Sequence, residues 1–138
     1  MKYRLFILFY FTLCIGFNLL GQEAEKTNVK PKLLYGTASF YANKFSGRRT
    51  ANGEIFSQVK MTAACNVLPL GTWVKVTNLR NGKSVIVKVN DRLHAKMKRL
   101  VDLTRAAGQK LGFINSGVTK VKVEVLRKKK SENHVEIK

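Results

Sequence analysis

Apolar and polar residues alternate with a period of two along much of the second half of the chain. Thr72 to Thr77 alternates around Val74 and Val76, and Lys83 to Val89 around Val85, Val87 and Val89, with Asn81-Gly82 between them. That pattern predicts a hairpin of half-buried strands, with the Asn-Gly pair supplying the positive φ its turn needs. Val118 to Leu126 repeats the pattern, with Val121, Val123 and Val125 on one face and Lys120, Lys122 and Glu124 on the other. Tyr35 to Tyr41 reads as a further strand. Only Thr104 to Leu111 has helical spacing. Leu103, Ala107 and Leu111 share one side, Thr104 or Asp102 serves as the cap, and Gly112 is the stop. These elements predict a mainly β fold, a small barrel crossed by one short helix.

The ends of the chain follow other rules. Lys2 and Arg4 precede an uncharged run from Leu5 to Leu20, the pattern of a secretory signal over residues 1–22, with cleavage between Gly21 and Ala24. The run is broken by Thr12, Cys14, Gly16 and Asn18 and falls short of the ~20 apolar residues of a membrane span, so no stable anchor is expected once it is removed. Nor do small residues precede Cys14, as lipidation would require. Residues 23–33 read as a polar linker, 34–126 as the domain and 127–138 as a basic tail. A chain of 138 residues has room for one core. With Cys14 removed, Cys65 has no partner, and disulfides do not staple the fold.

The formal charge of the chain is +18, and loss of Lys2 and Arg4 leaves 18 − 2 = +16. Such a charge draws polyanions. Nucleic acid is not the expected partner, because the chain reads as exported and lacks both a basic helix and aromatics set among its basic residues. Anionic polymers of the cell envelope fit better, and the periplasm or envelope is the expected location.

Four acids lie between Leu33 and Leu126: Glu54, Asp91, Asp102 and Glu124. Glu124 falls on a lysine-rich strand face and is expected to pair across strands. Glu54 closes the loop Arg48-Arg49-Thr50-Ala51-Asn52-Gly53-Glu54, and Asp91 follows the apolar strand that ends in Val89-Asn90. Cleavage of a glycosidic bond needs a carboxylic acid at the leaving oxygen and, for hydrolysis, a second carboxylate. Glu54 and Asp91 can supply that pair. Equally, Glu54 can pair with Arg48 or Arg49, and Asp91 with Arg92, as surface salt bridges.

Gly36-Thr37-Ala38-Ser39-Phe40-Tyr41, Arg49-Thr50-Ala51-Asn52-Gly53-Glu54, Met61-Thr62-Ala63-Ala64, Leu68-Pro69-Leu70-Gly71-Thr72, Val76-Thr77-Asn78 with Asn81-Gly82, Val89-Asn90-Asp91-Arg92 and Val101-Asp102-Leu103-Thr104 together resemble the rare lipoprotein A family. The resemblance covers about residues 35 to 126 and implies a six-stranded double-psi β-barrel. It also implies a septal-ring lytic transglycosylase acting on peptidoglycan strands stripped of stem peptides, with catalytic carboxylates at Glu54 and Asp91. Asp102 matches the aspartate that expansin-like barrels also use and is a third candidate. Two departures stand out. Cys65 occupies the place where the family usually has His, and Leu93-His94-Ala95-Lys96-Met97-Lys98 replaces a loop that often carries Gly-Pro. The family's appended peptidoglycan-binding repeat domain has no counterpart in this sequence.

The expected chemistry is therefore a transglycosylase with Asp91 as acid and base. Glu54 would be kept ionised by its arginine-rich loop and stabilise the oxocarbenium-like charge, and Arg48, Arg49, Arg92 and Lys96 would meet the lactyl carboxylate of muramic acid. The alternative is a non-catalytic, expansin-like glycan-binding module, which the missing imidazole at Cys65 favours. A structural protein that binds polyanions by charge alone is a third class. No cofactor or metal is expected, because the ligand spacings of known metal sites do not occur around Cys65 and His94. The domain is expected to be a monomer.

Overall fold

The computed structural model describes residues 30–126. The expected signal (1–22), most of the linker and the basic tail (127–138) lie outside the described residues. Six strands, β1 (Leu33–Phe40), β2 (Thr62–Ala64), β3 (Trp73–Asn78), β4 (Ser84–Asp91), β5 (Val101–Leu103) and β6 (Thr119–Val125), close into a barrel in the order β1-β5-β2-β4-β3-β6. The pairs β1–β5 and β2–β4 are parallel, whereas the other neighbours are antiparallel. The one α-helix among the described residues, α1 (Arg105–Leu111), packs against β4 and β1.

The alternation seen in the sequence is the alternation of the barrel wall. Val74, Val76, Val87, Val89, Val121 and Val123 point inward with no exposure, while Trp73, Lys75 and Ile86 face outward. Each such valine contributes about 1.5–3 kcal/mol of burial. Antiparallel strands β3 and β4 are joined by residues 79–83, where Gly82 takes φ 75°. Asn78 is buried below that turn. Its amide donates to the carbonyl of Leu111 at 2.9 Å and its Oδ1 accepts from Thr119 Oγ1 at 2.8 Å, tying the end of α1 to two strands.

One expectation is resolved and one changes. Thr104, not Asp102, caps α1: its Oγ1 accepts from Ala107 N, and Gly112 ends the helix at φ 71°. Glu124 pairs with Lys122 on its own strand at 3.4 Å rather than across strands, because residues two apart share a face of β6. Strands β2 and β5 complete the barrel with three residues each, too short to show alternation.

Candidate active site

The register between β2 and β4 slips by one at the end of the barrel: Ala63 pairs with Val89, and Ala64 with Asp91. Asn90 is the extra residue. Such a bulge re-aims the side chains beside it, and here it separates Asn90, which is buried, from Asp91, which is half-buried beside a cavity of about 540 Å3.

The loop before β2 clamps that strand end. Its Asn-Gly turn closes on itself, with Gly53 N donating to Thr50 O and Thr50 N to Glu54 O, and Gly53 takes φ 89°. The loop then docks on β4 through Asn52 N to the carbonyl of Asn90 and through Ala51 N to Asp91 Oδ1 at 2.9 Å. Phe56, buried and packed with its ring 4.4 Å from that of Tyr41 at a tilt of 41°, anchors its far end.

Asp91 is held at both oxygens. Oδ1 accepts the backbone amides of Ala51 and Arg92, and Oδ2 accepts the Tyr41 hydroxyl at 2.7 Å. Backbone amides can only donate, whereas a tyrosine hydroxyl donates or accepts. A proton on Asp91 therefore has one place to reside, Oδ2. Burial, together with the Asp91 carboxylate that accepts its hydrogen bond, pushes the Tyr41 hydroxyl above the ordinary tyrosine range and keeps it protonated.

Asp102 lines the same cavity with different partners. Arg99 grips it with two bonds, Nε to Oδ1 at 2.8 Å and Nη2 to Oδ2 at 3.0 Å, and Ser39 Oγ donates to Oδ1 at 2.5 Å. The hydrogen bonds to Asp102 push the Arg99 guanidinium up in turn. Both aspartates thus face one space, one through a neutral hydroxyl and the other through a cation.

Glu54 does not line this cavity. Its carboxylate accepts from Asn90 Nδ2, Lys88 Nζ and Asn52 Nδ2, each at 2.9–3.0 Å, and these bonds hold its pKa down to about 2. The cation is Lys88 of β4, not the arginines of its own loop. Arg49 instead donates to the carbonyl of Gly53, and Arg48 lies 5.6 Å from the ring of Phe45. Arg92 turns its guanidinium back onto the carbonyls of Cys65 and Leu68 while still lining the cavity, and Lys96 is exposed outside it. Of the four basic candidates, the fold brings Arg92 alone to the cavity wall.

Residues not singled out from the sequence complete the wall. Tyr41, Lys44 and Arg99 line the cavity, and of these Tyr41 carried a signal, as the last residue of a quoted motif. His94 lines it as well, exposed, with Nδ1 facing Lys96 N at 3.3 Å. Cys65 does not: it is fully buried in the hydrophobic core. Among the described residues no group of His, Cys, Asp and Glu is placed to hold a metal ion.

Set beside known proteins, residues 34–123 match the family model described as lytic transglycolase. The endolytic peptidoglycan transglycosylase RlpA of Pseudomonas aeruginosa strain UCBPP-PA14 is 54% identical over 109 residues, which are 78% of this chain and 32% of that protein. Its namesake in Neisseria meningitidis serogroup A is 49% identical over 89 residues, 64% of this chain and 37% of the relative. The chain thus spans about a third of the length of these relatives. Among solved structures, the Streptomyces papain inhibitor superposes with a TM-score of 0.57 at 22% identity, covering 70% of this chain and 96% of the inhibitor. An expansin of Clavibacter michiganensis in complex with cellohexaose gives 0.57 at 21%, covering 70% and 51%. At these identities the likeness shows the fold, a double-psi β-barrel.

Proposed function

The chain belongs to the rare lipoprotein A-like lytic transglycosylase family, and from that premise we propose that it is a lytic transglycosylase cleaving the glycan strands of peptidoglycan outside the cytoplasmic membrane. The observation that supports this most directly is Asp91, whose Oδ1 is occupied by two backbone amides and whose Oδ2 meets only a hydroxyl at the cavity.

In this reading Asp91 Oδ2 gives its proton to the glycosidic oxygen as the bond from C1 breaks. The resulting carboxylate accepts the proton of the muramyl 6-hydroxyl, whose oxygen bonds to C1 and closes an anhydro ring. No water is consumed, and Asp91 ends protonated, ready for the next cycle. Tyr41 turns its hydroxyl from donor to acceptor as the proton arrives. Glu54 acts as a positioning residue: held ionised, it fixes Asn90 and Lys88, and with them the strand end that carries Asp91. Asp102, neutralised by Arg99, is a structural anion rather than the acid. The substrate favoured by the basic wall is glycan freed of its peptides, which exposes lactyl carboxylates to Arg92 and Lys44. The uncharged run at residues 5–20 supports export.

The decisive measurement is mass spectrometry of muropeptides released from peptide-stripped sacculi. Anhydro ends are expected from the wild type, with losses of about 10²–10⁴-fold for Asp91→Asn. Reducing ends alone would identify a hydrolase. Binding without any release would favour a second reading, a glycan-binding module, for which the thiol of Cys65 at the family's usual histidine position speaks.

A further inference from the structure

Two depressions on this face of the barrel share a wall. The cavity of about 540 Å3 at Asp91 and a second of about 280 Å3 are both lined by Met97 and Arg99. The second exposes an aromatic ring, since Tyr35 of β1 is 65% accessible, and Val67 beside it is 57% accessible.

Backbone contacts hold its sides in place. Strand β1 passes so close beneath Leu100 that a Cβ at Gly36 would stand 2.6 Å from the Leu100 Cβ, and Leu100 N donates to Thr37 O at 2.9 Å. Opposite, Asn66 binds both backbone groups of Leu93, accepting at 2.8 Å and donating at 3.1 Å. The lining combines the apolar side chains of Tyr35, Val67 and Met97 with the polar groups of Asn66 and Lys98. Lys98 is exposed and makes no ion pair among the described residues.

A pyranose ring has the matching shape, with C–H bonds on its faces and hydroxyls at its rim. An aromatic ring presents the complementary surface at small conformational cost. We propose that this second depression is a glycan subsite that binds a sugar of the strand lying at Asp91, stacked on Tyr35 with its acidic substituent toward Lys98. The identity of that strand rests on the transglycosylase reading above, whereas the continuity of the two depressions does not.

The test uses a peptide-free octasaccharide of the glycan, with turnover followed by release of anhydro ends and binding by calorimetry. In Tyr35→Ala and Tyr35→Leu, KM and Kd rise about tenfold while kcat holds. Tyr35→Phe matches the wild type, because the ring and not the hydroxyl is used. Lys98→Ala weakens binding of this glycan but not of an N-acetylglucosamine oligomer, which has no carboxylate. KM and Kd within twofold of wild type in Tyr35→Ala would overturn the subsite. If the wild type binds the octasaccharide but releases no anhydro end, the transglycosylase reading fails and the Kd values still decide the subsite. If the wild type does not bind it, both fail.

Discussion

Replacing Arg99 with Ala removes the cation that grips Asp102, and the structure allows the cost to be worked out. The side chain of Asp102 is 13% exposed and that of Arg99 is 31% exposed. Removing one partner of a fully buried pair costs about 3–5 kcal/mol. Water reaches the vacated side and Ser39 still donates, so about 2 kcal/mol is expected here. In a domain of about 100 residues, 1 kcal/mol shifts Tm by roughly 4–8 °C, so the variant should melt about 8–16 °C lower. Asp102→Asn keeps the Ser39 bond and leaves Arg99 partly hydrated, and should cost about 1 kcal/mol. If the two act as a pair, the double variant loses about 1.5 kcal/mol rather than 3, a coupling of about 1.5 kcal/mol. Urea unfolding followed by the fluorescence of Trp73, the single tryptophan, reads all four corners of the cycle. A coupling under about 0.5 kcal/mol would refute the reasoning and make the pair an ordinary solvated one. Turnover supplies an independent check, because Asp102→Asn should keep cleavage within about tenfold if Asp102 is not the acid. A loss as large as that of Asp91→Asn would reassign the chemistry.

Glu54→Gln should lower stability at neutral pH by about 1 kcal/mol, a modest figure because about a third of the side chain is exposed and screened. The native carboxyl titrates near 2 against an ordinary 4.5. The stabilisation is therefore complete above about pH 4.5 and fades as pH falls toward 2, so the denaturation midpoints of wild type and variant should converge in that window; a constant gap from pH 7 to 2 would contradict this. Gly36→Ala should cost about 1–3 kcal/mol by forcing Leu100 off β1, seen as faster hydrogen exchange at Leu100 N while β3 and β4 stay protected. In a chain beginning at residue 23, Cys65 is the single thiol, and it should react with a disulfide reagent only at the rate of unfolding because it is fully buried. Rapid labelling of the native protein would show an opening of the core near the site.

The long strands and the helix stop were legible because each depends on neighbours in the chain. Period-two valines bury one face wherever a strand forms a barrel wall, and Gly112 ends α1 through its own backbone freedom. The resemblance carried Glu54, Asp91 and Asp102 as candidates, yet nothing local stated what each would meet. That depends on residues far apart in sequence. Tyr41 lies 50 residues from Asp91, Lys88 lies 34 from Glu54, and Ser39 lies 63 from Asp102. The arginines beside Glu54 were its nearest cations along the chain, but the turn at Gly53 and the bulge at Asn90 set the carboxylate on β4 instead. Side-chain direction at a bulge follows from the register of two strands, and register is fixed only when all six strands close. Composition and periodicity thus determined a basic, mainly β domain. Closure of the barrel decided that Asp91 meets a hydroxyl and Asp102 a guanidinium, because only closure sets which residues of distant strands stand side by side.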